Sequence, residues 1–340
     1  MLALHVQMES EKPDMQEYTF TQKFTSDELG LGGVALASYL DQLYIAWTGS
    51  DHAINLIVSR DDGQSFDYST KIILDEESYN RPALAVYQNR LYIAWINTRG
   101  LICLMYSTDN GNSFNPDTKS ISDQSTFASG FLAGTSHAEG YDGPALTVCQ
   151  NRLHVAWAGQ DQHLNFMYST DGGKSFDTGT QFISPEKSYF HITRSQRATN
   201  PPAMYITDKN YPGPALGVHN GQLYCAWTGQ DSSINIMSSI DSGQTFDSST
   251  KIISEQTSHS APAIGSHRGQ GVLCWQGTGN WNPTLNLQLF AGGNFYDSST
   301  AQHITFTDST DRAPAILSHH GRLIVAWCGT NNRQINLATY

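Results

Sequence analysis

The chain has 340 residues, a hydrophobic share of 39% and a charged share of 15%, which suits a folded protein and excludes intrinsic disorder. Its 31 acidic residues against 19 basic ones leave a formal charge of −12, so nucleic acid and anionic membrane surfaces are not expected partners, because binding phosphate needs a basic face. No apolar run approaches the roughly 18 residues of a membrane-spanning helix, so membrane insertion is not expected either.

The first stretch, MLALHVQMESEKPDM, has few apolar residues before its charges begin and no basic leader, so no secretory signal is visible. An exported protein lacking its leader would read the same way, which leaves localisation open. Next comes a strand-like segment, Glu17–Phe24 (EYTFTQKF), and then the first of six related units. Their shared run is LYIAWTG at Leu43–Gly49, LYIAWIN at Leu91–Asn97, LHVAWAG at Leu153–Gly159, LYCAWTG at Leu223–Gly229, VLCWQG at Val272–Gly277 and LIVAWCG at Leu323–Gly329. Trp47, Trp95, Trp157, Trp227, Trp275 and Trp327 recur at spacings of 48, 62, 70, 48 and 52 residues. A period of this size belongs to propeller blades. Large rings at one repeat position are expected to fill the wedge between neighbouring sheets.

The second unit shows the strands most clearly. Pro82–Tyr87 is a first strand, Gln88–Arg90 a tight turn, Leu91–Trp95 a second strand and Leu101–Ser107 a third. A hairpin turn at Asp109–Ser113 then leads to a fourth strand at Thr118–Ile121. These β-branched and aromatic runs, punctuated by Gly, Asn and Asp, carry the strand-and-hairpin signature, and no helical period is present. Proline opens first strands at Pro82, Pro144, Pro214, Pro262 and Pro314, where it has no ladder hydrogen bond to lose. The expected fold is all-β, a six-bladed β-propeller of four-stranded antiparallel blades. Its blades span about 31–78, 79–125, 141–187, 211–257, 258–310 and 311–340, with insertions at 123–140 and 184–210. The last unit stops after three strands, so residues 17–24 are expected to supply the sixth blade's outer strand and close the ring. Cys103, Cys149, Cys225, Cys274 and Cys328 lie in apolar runs without CxxC spacing, and are read as buried free thiols rather than disulfide or zinc partners. No cofactor or metal is expected.

Between third and fourth strands stands the pattern S-x-D-x-G-x-[ST]-F, at Ser59–Phe66, Ser107–Phe114, Ser169–Phe176 and Ser239–Phe246. The Asp carboxylate can accept backbone N–H groups across the turn, the Gly allows positive φ, the Ser or Thr hydroxyl can bond the carboxylate, and the Phe anchors the turn. The fifth unit has only LFAGGNF (Leu289–Phe295), without the Asp. Repetition in every regular unit favours turn stapling over catalysis or calcium binding by Asp61, Asp109, Asp171 and Asp241. Four such copies at blade spacing resemble the Asp-box of the sialidase-like, BNR-repeat propellers, across nearly the whole chain. The resemblance implies that these turns are structural and face away from the ligand site.

Strand alternation puts the Asp turns and the Gln88–Arg90 type of turn on one face, and both insertions on the other, with a smaller insertion at Gly277–Pro283. Insertions gathered on one face mark it as the binding face. Candidate ligand groups there are Tyr79, Arg81, Tyr141, Asp142, Arg194, Tyr211, Trp281 and Arg312. Aromatic faces stack on sugar rings, while arginines and carboxylates hydrogen-bond hydroxyls. Packing between blades is the competing role for the tyrosines, and bonding to carbonyls for the arginines. The resemblance implies, for a cleaving sialidase, three arginines on the substrate carboxylate, a Tyr–Glu nucleophile and an acid/base Asp. The nearest match to the early Arg-Ile-Pro motif of that family is Asn80-Arg81-Pro82, one residue short and in the second unit. Three readings follow: a non-catalytic propeller that recognises a carbohydrate or glycoconjugate, a sialidase-like glycoside hydrolase using Asp142 or an insertion-loop acid, and a protein-interaction scaffold. The first is favoured, with no catalytic residue assigned.

Overall fold

The computed structural model describes residues 17–20, 22–126, 142–189, 191–197, 203–210, 212–278, 283–290, 295 and 301–340, with backbone alone at 17, 191–197 and 203–210. The described residues are all-β, interrupted only by four short 3₁₀ turns. In chain order the strands are β1 (Glu17–Tyr18), β2 (Gln22–Tyr39), β3 (Gln42–Gly49), β4 (Ala53–Ser59) and β5 (Ile72–Glu77). Then follow β6 (Ala83–Tyr87), β7 (Arg90–Ile96), β8 (Leu101–Tyr106) and β9 (Ser120–Ser125) in a second sheet. A third sheet holds β10 (Ala145–Cys149), β11 (Arg152–Ala158), β12 (His163–Tyr168) and β13 (Phe182–Lys187). The hairpin β14 (His191–Arg197) and β15 (Ala203–Asn210) stands apart from it. The fourth sheet is β16 (Ala215–His219), β17 (Gln222–Thr228), β18 (Ser233–Ser238) and β19 (Ile252–Thr257). The fifth is β20 (Ala263–His267), β21 (Gln270–Gln276), β22 (Thr284–Phe290) and β23 (Gln302–Ser309), and the sixth begins with β24 (Ala315–His319), β25 (Arg322–Cys328) and β26 (Gln334–Thr339).

Each sheet is an antiparallel meander, and the first strands lie side by side in the cyclic order β2, β6, β10, β16, β20, β24 and back to β2. Hydrogen bonds repeat this cycle at the end of each first strand. Tyr39 Oη donates to the Asn89 carbonyl, Tyr87 Oη to that of Asn151, and Cys149 Sγ to that of Gly221. His219 Nδ1 pairs with Ser266 Oγ, His267 Nδ1 with Ser318 Oγ, and His319 Nδ1 with Ser38 Oγ. The apolar core is divided among the sheet-to-sheet contacts rather than gathered at the centre. One cluster joins the first and second sheets around Trp95, and the next holds Trp157 between the second and third. The series continues with Trp227, Trp275, Trp327 and finally Trp47 between the sixth and first sheets. Inner strands are therefore buried on both faces, whereas an outer strand such as β5 alternates, leaving Ile73 exposed.

The chain ends meet within the sixth sheet, over only part of the expected segment, its residues 22–24. The partner of β26 is Gln22–Leu29, and β2 then continues as the first strand of the first sheet, pairing with β3 from Gly30 onward. Glu17–Tyr18 instead adds in parallel to Thr305–Phe306 of the fifth sheet. The reason lies in Phe20, whose ring stacks 4.0 Å from Phe306 and 5.3 Å from Trp327, tying that part of the segment to the seam between fifth and sixth sheets. Fourth strands also start later than expected. The 3₁₀ turn Pro116–Thr118, capped by Asn115, pushes β9 to Ser120. Asp67, Asp177 and Asp247 cap the equivalent turns. Likewise β9 and β13 run to Ser125 and Lys187, so residues 123–125 and 184–187 belong to sheets rather than to insertions.

The repeated Asp turns have the expected chemistry. Ser65 donates its N–H to Asp61 Oδ1 at 2.9 Å and its hydroxyl to Oδ2 at 2.6 Å. Ser59 Oγ donates to Asp61 Oδ1 at 2.8 Å while accepting the Gly63 N–H at 2.8 Å, and Gly63 has a φ of 84°. Burial pulls the Asp61 carboxyl upward, but the bonds from Ser65 and Ser59 outweigh it and hold the group below its ordinary range. Asp109, Asp171 and Asp241 repeat the arrangement, and Phe66, Phe114, Phe176 and Phe246 are buried beneath the turns.

Candidate functional site

First strands start on the face opposite the Asp turns, and their starting residues border a central cavity. The residue before each strand-opening position is Gly33, Arg81, Gly143, Gly213, Ala261 or Ala313. Five of these six are glycine or alanine, which leaves room for one long side chain. A Cβ on Gly33 would stand 2.5 Å from the Ala313 carbonyl and 3.1 Å from Arg81 Cδ. Arg81 fills that room. Its side chain reaches across the axis to the Pro314 carbonyl at 3.5 Å and lines a cavity of about 110 Å³ bounded by Val34, Pro82, Pro144, Pro262 and Pro314.

Asp142 closes the same plug. Its Oδ1 lies 4.0 Å from Arg81 Nε, while its Oδ2 accepts the Ala261 N–H at 2.6 Å. Asn80 Nδ2 donates to the Asp142 carbonyl at 3.2 Å, and Thr48 Oγ1 donates to the Asn80 carbonyl at 2.5 Å. Arg81 and Asp142 are 8% and 7% exposed, so solvent barely reaches either. Burial pushes the Asp142 carboxyl up, opposed by the Arg81 charge and by N–H groups of Ala261 and Gly213. Burial also lowers Arg81, with Asp142 opposing, and the guanidinium remains charged. The arrangement is a polar clamp linking the second, third, fifth and sixth sheets.

No family model and no curated protein matches this sequence. Solved structures do. The NanB sialidase of Streptococcus pneumoniae superposes with a TM-score of 0.58 at 10% identity, over 95% of this chain and 70% of that one. The leech intramolecular trans-sialidase gives 0.56 at 10% identity, over 93% and 68%. AofleA from Arthrobotrys oligospora gives 0.52 at 9% identity, over 94% and 90%. The chain has a sialidase-like fold.

On the insertion-bearing side of this sialidase-like fold, Arg312 is half-buried. Its Nε donates to the Leu31 carbonyl at 3.0 Å and its Nη1 to the Asp311 carbonyl at 3.1 Å, with the Asp311 carboxylate at 3.5 Å. Tyr79 is half-buried with its ring edge-on to His52 at 4.7 Å. Arg194 lies in β14 opposite Ile206, beside a register shift. Tyr141, Tyr211 and Trp281 lie outside the described residues. The structure thus brings Arg81 and Asp142 together at the axis, and places Tyr79 and Arg312 in the strand approaches around them.

Beside His259, which the sequence placed with Tyr79, Tyr141 and Tyr211 before a first strand, one residue was missed. Tyr189 stacks on His259 at 6.2 Å and 12° in the same approaches. Tyr79, Tyr189 and His259 each follow a buried serine at the end of a fourth strand, and Ser78, Ser188 and Ser258 bond the carbonyls of His52, Gln162 and Ser232. Counting backward from the prolines finds Tyr79 but reaches Tyr211 in the fourth unit, because an insertion separates the serine from the proline there. The Ser-aromatic pair after the outer strands β5, β13 and β19 was the available signal.

Proposed function

We propose that the chain is a six-bladed, sialidase-like propeller with Asp-box turns, recognising carbohydrate on the face opposite those turns without cleaving it. The observation that carries the reading is the engagement of Arg81 and Arg312. Arg312 holds the Leu31 and Asp311 carbonyls, and Arg81 lies buried with one bond to the Pro314 carbonyl at 3.5 Å and the Asp142 carboxylate at 4.0 Å, its Nε without a hydrogen-bond partner. Asp142 has one oxygen on the Ala261 N–H and the other toward Arg81 and is buried, so it is not placed to protonate a leaving group. The cyclic order of the first strands and the six inter-sheet cores support the blade count. The carbohydrate assignment is supported by the neighbours, sialidases and a trans-sialidase held with 2,7-anhydro-Neu5Ac. Half-buried Tyr79 and Tyr189, with exposed His259, offer ring faces on which a sugar can stack.

The test combines a glycan array with a fluorogenic sialoside assay, both on the full chain. The expected result is retention of a glycan subset, reduced at least tenfold by Tyr79→Ala or His259→Ala, without release of fluorophore. Turnover abolished by Arg81→Ala and Arg312→Ala would make the protein a glycosidase. Neither binding nor turnover would overturn carbohydrate recognition and leave the face to a protein partner.

A further inference from the structure

On the opposite face, where the sixth sheet meets the first, two imidazoles and a carboxylate converge. His319 ends β24, His320 opens the turn to β25, and Asp62 lies in the Asp turn after β4. His320 Nδ1 is 2.7 Å from Asp62 Oδ1, and His319 Nε2 is 3.2 Å from the same oxygen. One donor atom from each residue lies within 4.8 Å of the others. We propose that this cluster is a binding site for a divalent first-row transition cation of borderline softness, with zinc as its representative.

Three features argue for a cation rather than a plain ion pair. First, the His319 side chain is 1% exposed, yet its Nε2 has no aligned hydrogen-bond partner despite the carboxylate nearby. A buried ring nitrogen without an aligned hydrogen-bond partner, beside an imidazole and a carboxylate, is what a shared ion satisfies. Second, Ser38 Oγ lies 2.8 Å from His319 Nδ1. A proton placed on Nδ1 and donated to that hydroxyl directs the Nε2 lone pair into the cluster, the second-layer support that metal-binding histidines use. Third, the spacing suits the ion. Tetrahedral zinc with bonds of about 2.0–2.1 Å places its ligand atoms about 3.3 Å apart, close to the 3.2 Å separation of His319 Nε2 and Asp62 Oδ1, whereas His320 Nδ1, hydrogen-bonded to that oxygen at 2.7 Å, would move outward to take up the ion.

Among the described residues the cluster is particular to this seam. The same turn positions at other seams carry Gln88 against Gly172 and Gln150 against Ser242, none of them an imidazole or carboxylate. Two imidazoles and one carboxylate select zinc, nickel or copper over magnesium and calcium, which require more oxygen ligands. Water would complete the coordination. A bound ion would clamp the first sheet to the sixth across the seam where the chain ends meet, independently of any ligand on the far face.

The experiment is isothermal titration of the tag-free, chelator-treated full chain with zinc chloride, paired with thermal unfolding. Expected are one site of micromolar affinity, a rise in Tm of several degrees at saturating zinc, and no comparable response to magnesium. His320→Gln and Asp62→Asn should each weaken that site at least tenfold, while native tryptophan emission without metal stays unchanged. His319→Gln should do the same, and if it fails to fold, the two more exposed positions decide. Absence of zinc binding, or zinc binding unchanged in both His320→Gln and Asp62→Asn, overturns the assignment.

Discussion

Removing Asp142 isolates the contribution of the axial clamp. In Asp142→Ala, Arg81 keeps its charge and its burial but loses the facing carboxylate, retaining the Pro314 carbonyl at 3.5 Å. Two unit charges at the observed 4.0 Å attract by about 4 kcal/mol at an effective dielectric of about 20. Stranding one member of a buried pair typically costs about 3–5 kcal/mol, and loss of the bond from the Ala261 N–H acts in the same direction. Arg81→Met should cost less, about 1–2 kcal/mol, because Asp142 can then take up a proton whereas the guanidinium cannot lose one. This asymmetry has a pH signature. The Asp142 carboxyl is already raised in the folded protein, and removing the opposing cation raises it further. Its folded-state pKa then exceeds the unfolded one, so Arg81→Met should lose stability as pH rises through the raised value. The double variant Arg81→Met/Asp142→Asn should be more stable than the sum of single costs by about 1–3 kcal/mol. Urea unfolding followed by emission of the six buried tryptophans measures all four corners of the cycle. Costs additive to within about 0.5 kcal/mol would refute a mutually dependent clamp.

Other consequences separate close packing from local strain. A Cβ on Gly143 would stand 1.8 Å from the Arg81 carbonyl, so Gly143→Ala should cost about 3 kcal/mol or more in urea unfolding. Gly221 has open space but a φ of 75°, so Gly221→Ala should cost only about 1–2 kcal/mol in the same assay. Asp61, Asp109, Asp171 and Asp241 sit below the ordinary carboxylate range, so the stability they contribute is present above about pH 4 and is lost as pH falls through their folded values. Calorimetry across that range should show a steep acid decline, flattened when the four are changed to Asn. All five cysteines are free and buried, and burial pushes Cys103 up to about 11 and Cys328 up to about 12. A thiol reagent such as Ellman's should therefore find no fast-reacting group until the chain unfolds, when all five should titrate.

The all-β character, the strands of each sheet and their turns were legible in the sequence because each depends on neighbours only a few residues away. The Asp turn closes within its own eight residues, and the repeated tryptophan needs only an apolar strand and a sheet beside it. Strand ends were less legible where a distant ring decided them, as Phe306 does for Phe20. What only the tertiary structure decided was which polar residues meet across the ring. Arg81 and Asp142 were both visible as candidates, but nothing near either in sequence says that their side chains face each other. That pairing depends on glycines and alanines contributed by other sheets. His319, His320 and Asp62 come together for the same reason, since only ring closure brings residues about 258 positions apart into contact. Local chemistry repeated along a chain specifies the individual sheets; the residues that face one another at the central cavity and at the seam are set by how distant sheets meet.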